Sequence, residues 1–175
     1  RNGDLDAAKE ALSKATKASK GSVVAQPQDT LLLAQTLVDI GEGNEALRTL
    51  TDGGAAFKNT PSFGHVALSI QAQAEMATGQ TDMALKSVAK AREFLRKGKA
   101  DFATIALAKA EIVTGNEDAG LKLLENAISA DHENARIKQL IGKTLRDTGH
   151  EDKIASVIES AAAGLESKVS DARKL

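Results

Sequence analysis

A glycine followed five residues later by a small or apolar residue recurs in register along the whole chain, and no other feature constrains the fold as tightly. The pairs are Gly3/Ala8, Gly41/Ala46, Gly79/Ala84, Gly115/Gly120 and Gly149/Ile154. Four residues past the second member stand Leu12, Leu50, Val88, Leu124 and Ile158; three further on come Ala15, Gly53, Ala91, Ala127 and Ala161. An i, i+4, i+7 stripe is one face of a helix, with small residues where a second helix must come close. Successive units are offset by 38, 38, 36 and 34 residues. The five-residue step never changes, so the differences in length belong to the connections between units. A unit of this size cannot bury its own apolar face, and stacking against its neighbours supplies the rest of the core.

Each glycine also closes an apolar-periodic segment: Asp29 to Ile40, Ser62 to Thr78, Asp101 to Thr114 and Asn134 to Thr148. Seven residues before the last four glycines lie Ala34, Ala72, Ala108 and Gly142. Every unit therefore reads as helix, glycine turn, helix, with glycine supplying the positive φ that a helix C-cap needs. Asn44, Thr81, Asn116 and Glu151 stand near the starts of the second helices, and Asn and Thr there are expected N-caps. The periodicity predicts helices at 4–19, 28–40, 44–57, 62–78, 81–95, 100–114, 117–130, 134–148 and 151–169, with Lys20 to Pro27 as a loop inside the array. An apolar fraction of 42% suffices for a core, and only two prolines interrupt the helical pattern.

With these residues in view, the chain resembles the tetratricopeptide repeat (TPR) family. That family's signature is small at position 8, glycine near 15, alanine at 20, apolar at 24 and alanine at 27. The matching segments are LAQTLVDIGEGNEALRTLTDGG, QAQAEMATGQTDMALKSVAKA, LAKAEIVTGNEDAGLKLLENA and IGKTLRDTGHEDKIASVIESA, preceded by NGDLDAAKEALSKA as a second helix without its first. The family's usual aromatic positions are mostly aliphatic or polar here, and position 20 of the last unit is Ile154. The resemblance implies an all-α, right-handed superhelix of antiparallel helix pairs, about nine helices in about four and a half repeats. The corresponding segments are 1–20, 27–57, 62–97, 100–130 and 134–170. The chain opens on Arg1 rather than Met, as expected of a piece of a longer, bacterial-type protein.

Composition narrows the chemistry. A net charge of -1 gives no broad basic surface for nucleic acid, and an aromatic content of 2% leaves no base-stacking platform. The absence of cysteine removes disulfides, thiolate zinc sites and a cysteine nucleophile, and leaves the compartment open; the cytoplasm is slightly favoured over the periplasm. No apolar run approaches the roughly 18 residues of a membrane span, so direct membrane insertion is not expected. Gly41-Glu42-Gly43-Asn44-Glu45-Ala46 matches the dinucleotide fingerprint G-x-G-x-x-A, but the second glycine does not recur with Gly79, Gly115 and Gly149. His132 and His150 sit beside carboxylates at opposite ends of one expected helix, about 22 Å apart at 1.5 Å per residue, and cannot share an ion. They are read as solvated or capping residues, as is His65. Glu75 and Glu111 fall at equivalent positions of neighbouring units and are expected to be ordinary, partly solvated glutamates. Phe94 and Phe102 are expected to pack together across a hairpin. No P-loop, G-x-S-x-G or H-E-x-x-H occurs. The chain is read as a non-enzyme with no catalytic residue, cofactor or metal site.

The resemblance places ligand-facing residues at positions 2, 5, 9, 12 and 13 of each unit. These are Gln28, Leu31, Gln35, Val38 and Asp39; Val66, Ser69, Gln73, Met76 and Ala77; Phe102, Ile105, Lys109, Ile112 and Val113; Arg136, Gln139, Lys143, Arg146 and Asp147. The groove so formed is apolar in the middle and basic at its C-terminal end. The Lys/Asn/Asn/Lys/Arg set with which some TPR domains clamp chaperone C-termini is not present. The expected function is a scaffold that binds a peptide or protein segment in this groove. Met76, Ile105 and Ile112 would take apolar side chains, and Lys109, Arg136, Lys143 and Arg146 acidic ones. The alternatives are a structural spacer that self-associates into a homo-oligomer, and a nucleic-acid-binding helical repeat.

Overall fold

The computed structural model describes residues 26–54, 57, 61–94 and 102–162, with positions 7, 10, 11 and 14 of the opening segment. Among these residues all regular structure is helical. The elements are α1 (Pro27–Asp39), α2 (Gly43–Asp52), α3 (Pro61–Ala77), α4 (Thr81–Glu93), α5 (Phe102–Val113), α6 (Glu117–Ala130) and α7 (Ala135–Asp147). A 3-10 turn, Glu151–Lys153, then leads into α8, residues 154–162. Ala7, Glu10, Ala11 and Lys14 are helical, in line with the expected first helix; the rest of that helix, and the loop from Lys20 as far as residue 25, lie outside the described residues. Pro27, assigned above to the loop, is instead the first residue of α1, where its missing N–H is no loss.

The same turn joins α1 to α2, α3 to α4, α5 to α6 and α7 to the 3-10 turn. Gly41, Gly79, Gly115 and Gly149 have φ of 85°, 77°, 89° and 79°, the left-handed region that side-chain-bearing residues avoid. The N–H groups of Glu42, Gln80, Asn116 and His150 reach back to the carbonyls of Leu37, Glu75, Glu111 and Leu145 at 2.7–2.9 Å. Each glycine N–H meets the carbonyl three residues before it, completing a Schellman cap. In three of the four turns the residue before the glycine is a threonine: Thr78, Thr114 and Thr148 each donate their hydroxyl to the carbonyl four residues back.

This turn overrules the expected side-chain caps. The residue whose N–H closes one helix is already the N-cap of the next, so Glu42, Gln80 and Asn116 hold that position with no side-chain cap bond. Asn44 and Thr81 fall inside their helices. A side-chain cap appears at α7 instead, where Asn134 accepts from the N–H groups of Arg136 and Ile137.

Packing follows the small-residue columns. Each first helix packs on its own second helix and on the next first helix, and each of α2, α4 and α6 also touches the next first helix. Ala34, Ala46, Ala72, Ala84 and Ala108 are wholly buried. A methyl group added to Gly120 would fall 2.7 Å from the Ala108 carbonyl and 2.5 Å from Ile112 Cγ1, so the α5–α6 approach admits only glycine there. In the last unit the column changes: Ile154 packs on the apolar cluster around Ile137, Ile141, Leu145 and Val157, while a methyl on Gly142 would meet only the Arg146 guanidinium.

Helix α5 departs most from an amphipathic pattern. Every residue from Ala103 to Ile112 except Lys109 is buried, because α3, α4, α6 and α7 surround it.

Candidate functional site

Position 9 of the four units forms one column along the first helices: Gln35, Gln73, Lys109 and Lys143. Position 13 supplies Asp39 and Asp147 at the C-terminal ends of α1 and α7. The structure brings these groups together. Lys109 Nζ lies 2.7 Å from Asp39 Oδ1 and 3.0 Å from Asp147 Oδ2. Lys143 Nζ lies 2.7 Å from Asp39 Oδ2 and 2.5 Å from Asp147 Oδ2. Two carboxylates and two ammonium groups thus close a neutral quartet across the first, third and fourth helix pairs.

A ladder of amides aims Asp39 at this point. Gln73, buried in α3, donates to the Ala106 carbonyl of α5 at 3.3 Å and accepts from Gln35 at 3.0 Å. Gln35 also donates to Asp39 Oδ1 at 2.9 Å. Burial by itself would raise the Asp39 pKa, but hydrogen bonds from Lys109, Lys143 and Gln35 outweigh it and hold the carboxyl below its ordinary value. Burial would likewise lower the Lys143 pKa, and bonds to Asp147 and Asp39 reverse that and raise it.

The other groove residues separate into three sets. Arg136, Gln139 and Arg146 are exposed along α7, and neither arginine forms an ion pair with a described residue. Val38 and Met76 are half-buried against the core. Ile105 and Ile112 are core residues, 3% and 7% exposed, packed among α5, α6, α7 and α8. They offer no surface to a ligand, and the apolar middle of the expected groove narrows to Val38 and Met76.

Glu75 and Glu111 are buried, 3% and 1% exposed, which corrects the expectation of partly solvated glutamates. Glu75 accepts from Ser87 Oγ at 2.8 Å and Gln71 Nε2 at 2.7 Å. Glu111 takes a two-pronged bond from Arg92 of α4, through Nε and through Nη2 at 2.5 Å, which also raises the Arg92 pKa. That pair ties the second helix pair to the third. Their partners on other helices, Ser87 and Arg92, are 12 and 19 residues away in sequence, a spacing that no helical period reveals.

The histidines do not converge. His150 Nε2 lies 3.3 Å from Glu117 at the start of α6, and its Nδ1 3.2 Å from Thr148 Oγ1. His132 is exposed beside Glu133, and His65 stacks on Phe94 with ring centroids 6.4 Å apart. Phe94 and Phe102 are both largely exposed rather than packed on each other. Gly41, the first glycine of the dinucleotide-like motif, follows a helix, not a strand, and Gly43 lies buried against α3, where an added methyl would meet Thr78 and the Ala74 carbonyl within 3.0 Å. Among the described residues no group of three or more His, Asp or Glu could hold a metal ion, and no helix is long and apolar enough to cross a membrane. No family model, curated protein or solved structure matches the chain.

Proposed function

We propose that the chain is a protein-interaction scaffold whose first helices line a face for an acidic peptide or protein segment. The helix pairs would stack as a right-handed superhelix of the TPR type. The repeated Schellman turns, the small residues at the closest helix approaches and the contact between successive first helices support that architecture. One observation carries the function: Lys109 and Lys143, from consecutive helix pairs, each place an ammonium group 2.7 Å from the same carboxylate. Two lysines held on rigid helices around one carboxylate make a seat for that chemical group. Arg136 and Arg146 add positive charge along α7 beside the neutral quartet, where it would set the orientation and association rate of an acidic segment. Val38 and Met76 provide the adjoining apolar surface.

Fluorescence anisotropy with a labelled Leu/Glu peptide and its Leu/Lys counterpart tests this reading. The Leu/Glu peptide should bind, the Leu/Lys peptide should not, and Lys143→Glu with Arg146→Glu should abolish binding while preserving the helical circular dichroism spectrum. Equal binding of both peptides, or of one peptide by both protein forms, would remove the basic face as the site. A mass that rises with concentration in a protein binding neither peptide would support the spacer instead.

A further inference from the structure

The carboxylate in the two-lysine seat comes from the far end of the chain. Asp39 is separated from Lys109 by 70 residues and from Lys143 by 104. Helices α1 and α7 do not otherwise form a packed pair. The position is unfavourable for the α1 dipole: a carboxylate at a helix C-terminus faces the negative end, and no basic residue stands in that last turn, so within α1 Asp39 gains only the bond from Gln35. Both Asp39 oxygens are engaged, Oδ1 by Lys109 and Gln35 and Oδ2 by Lys143. A ligand carboxylate in the seat would meet the same ammonium donors.

We propose that Asp39 is an internal competitor that closes the face by occupying the seat offered by Lys109 and Lys143, and that an acidic ligand segment must displace it. The proposal rests on the reading of that face as an acidic-segment site. Displacement is within reach because the contact is partly hydrated: the Asp39 side chain is 23% exposed and that of Lys143 52%, so salt and competing carboxylates have access. Asp147 differs in kind. It bonds the same lysines from four residues along Lys143's own helix, so it neutralises the seat without bridging to the first pair.

The chain lacks cysteine, so Asp52→Cys on α2 and Glu159→Cys on α8, both exposed, accept spin labels for a distance measurement on the whole chain. At low salt the parent protein should give one narrow distance. Asp39→Asn should lengthen and broaden it, Asp147→Asn should not, and adding the Leu/Glu peptide to the parent should reproduce the Asp39→Asn distribution. In anisotropy, Asp39→Asn should bind the Leu/Glu peptide about fivefold more tightly, since a larger fraction of molecules would have the seat free. An unchanged distance in Asp39→Asn overturns the closure. Equal peptide affinity of parent and Asp39→Asn overturns the competition while leaving the binding function standing. Failure of both forms to bind removes the function and the competitor together.

Discussion

Replacing glycine by alanine should change stability in opposite directions at two positions of α3 and its turn. Gly79 sits at φ 77° with no atom within 4 Å of where a methyl group would go, so crowding contributes nothing and the whole cost is backbone strain. Holding an L-residue in the left-handed region costs roughly 1–2 kcal/mol. Gly64 lies inside α3 with equally open space and no positive φ. There alanine removes the entropy that glycine loses on folding and should gain about 0.5–1 kcal/mol. Gly120→Ala separates a third mechanism, because its methyl would strike a backbone carbonyl and the overpacking should cost about 1–3 kcal/mol. Urea midpoints measured on the three variants should rank Gly64→Ala above the parent and the other two below it. A Gly79→Ala protein as stable as the parent would refute the claim that the positive φ selects glycine at the four turns.

Arg92→Ala should cost about 1–3 kcal/mol by leaving the buried Glu111 carboxylate without its guanidinium donors, read as a lower thermal midpoint than Lys90→Ala produces. Asn134→Ala should lose about 1 kcal/mol with the α7 cap, and Asn116→Ala under about 0.5 kcal/mol, since Asn116 makes no side-chain cap bond; equal losses in urea would contradict the assignment. The stability that Asp39 adds should be complete above its ordinary pKa of 3.8 and vanish as pH falls through the lowered folded value, because its folded-state pKa is depressed. Lys143, with its pKa raised, should contribute fully below 10.5 and lose that contribution as pH rises through the folded value. The difference in urea midpoint between parent and Asp39→Asn should therefore be flat around neutrality and disappear in strong acid; a difference that persists there would count against the quartet.

What could be read from the sequence was whatever repeats within one helix pair. The glycine column foretold the positive-φ turns at Gly41, Gly79, Gly115 and Gly149, and the alanine columns foretold the tightest helix contacts. The caps differ from the expected ones because the Schellman turn makes one residue serve two helices, leaving Asn44 and Thr81 no capping position to fill. Ile105 and Ile112 lie in the core rather than on a groove because four neighbouring helices cover most of α5. Asp39, Lys109, Lys143 and Asp147 could each be placed on a first helix, but their meeting depends on how successive pairs stack, which no local pattern encodes. The same limit hid the Arg92–Glu111 bond, which joins separate pairs.

In a stack whose units touch only their neighbours, the terminal units have the fewest contacts and fray first, each end independently of the other. The ion contact from Asp39 to Lys143 changes that arithmetic, because it makes an open line of units into a circuit. Loosening α1 then removes an ion contact from α7, and loosening α7 removes one from α1. Amide protection in α1 and α7 should therefore be more closely coupled in the parent than in Asp39→Asn, although 104 residues separate the two side chains.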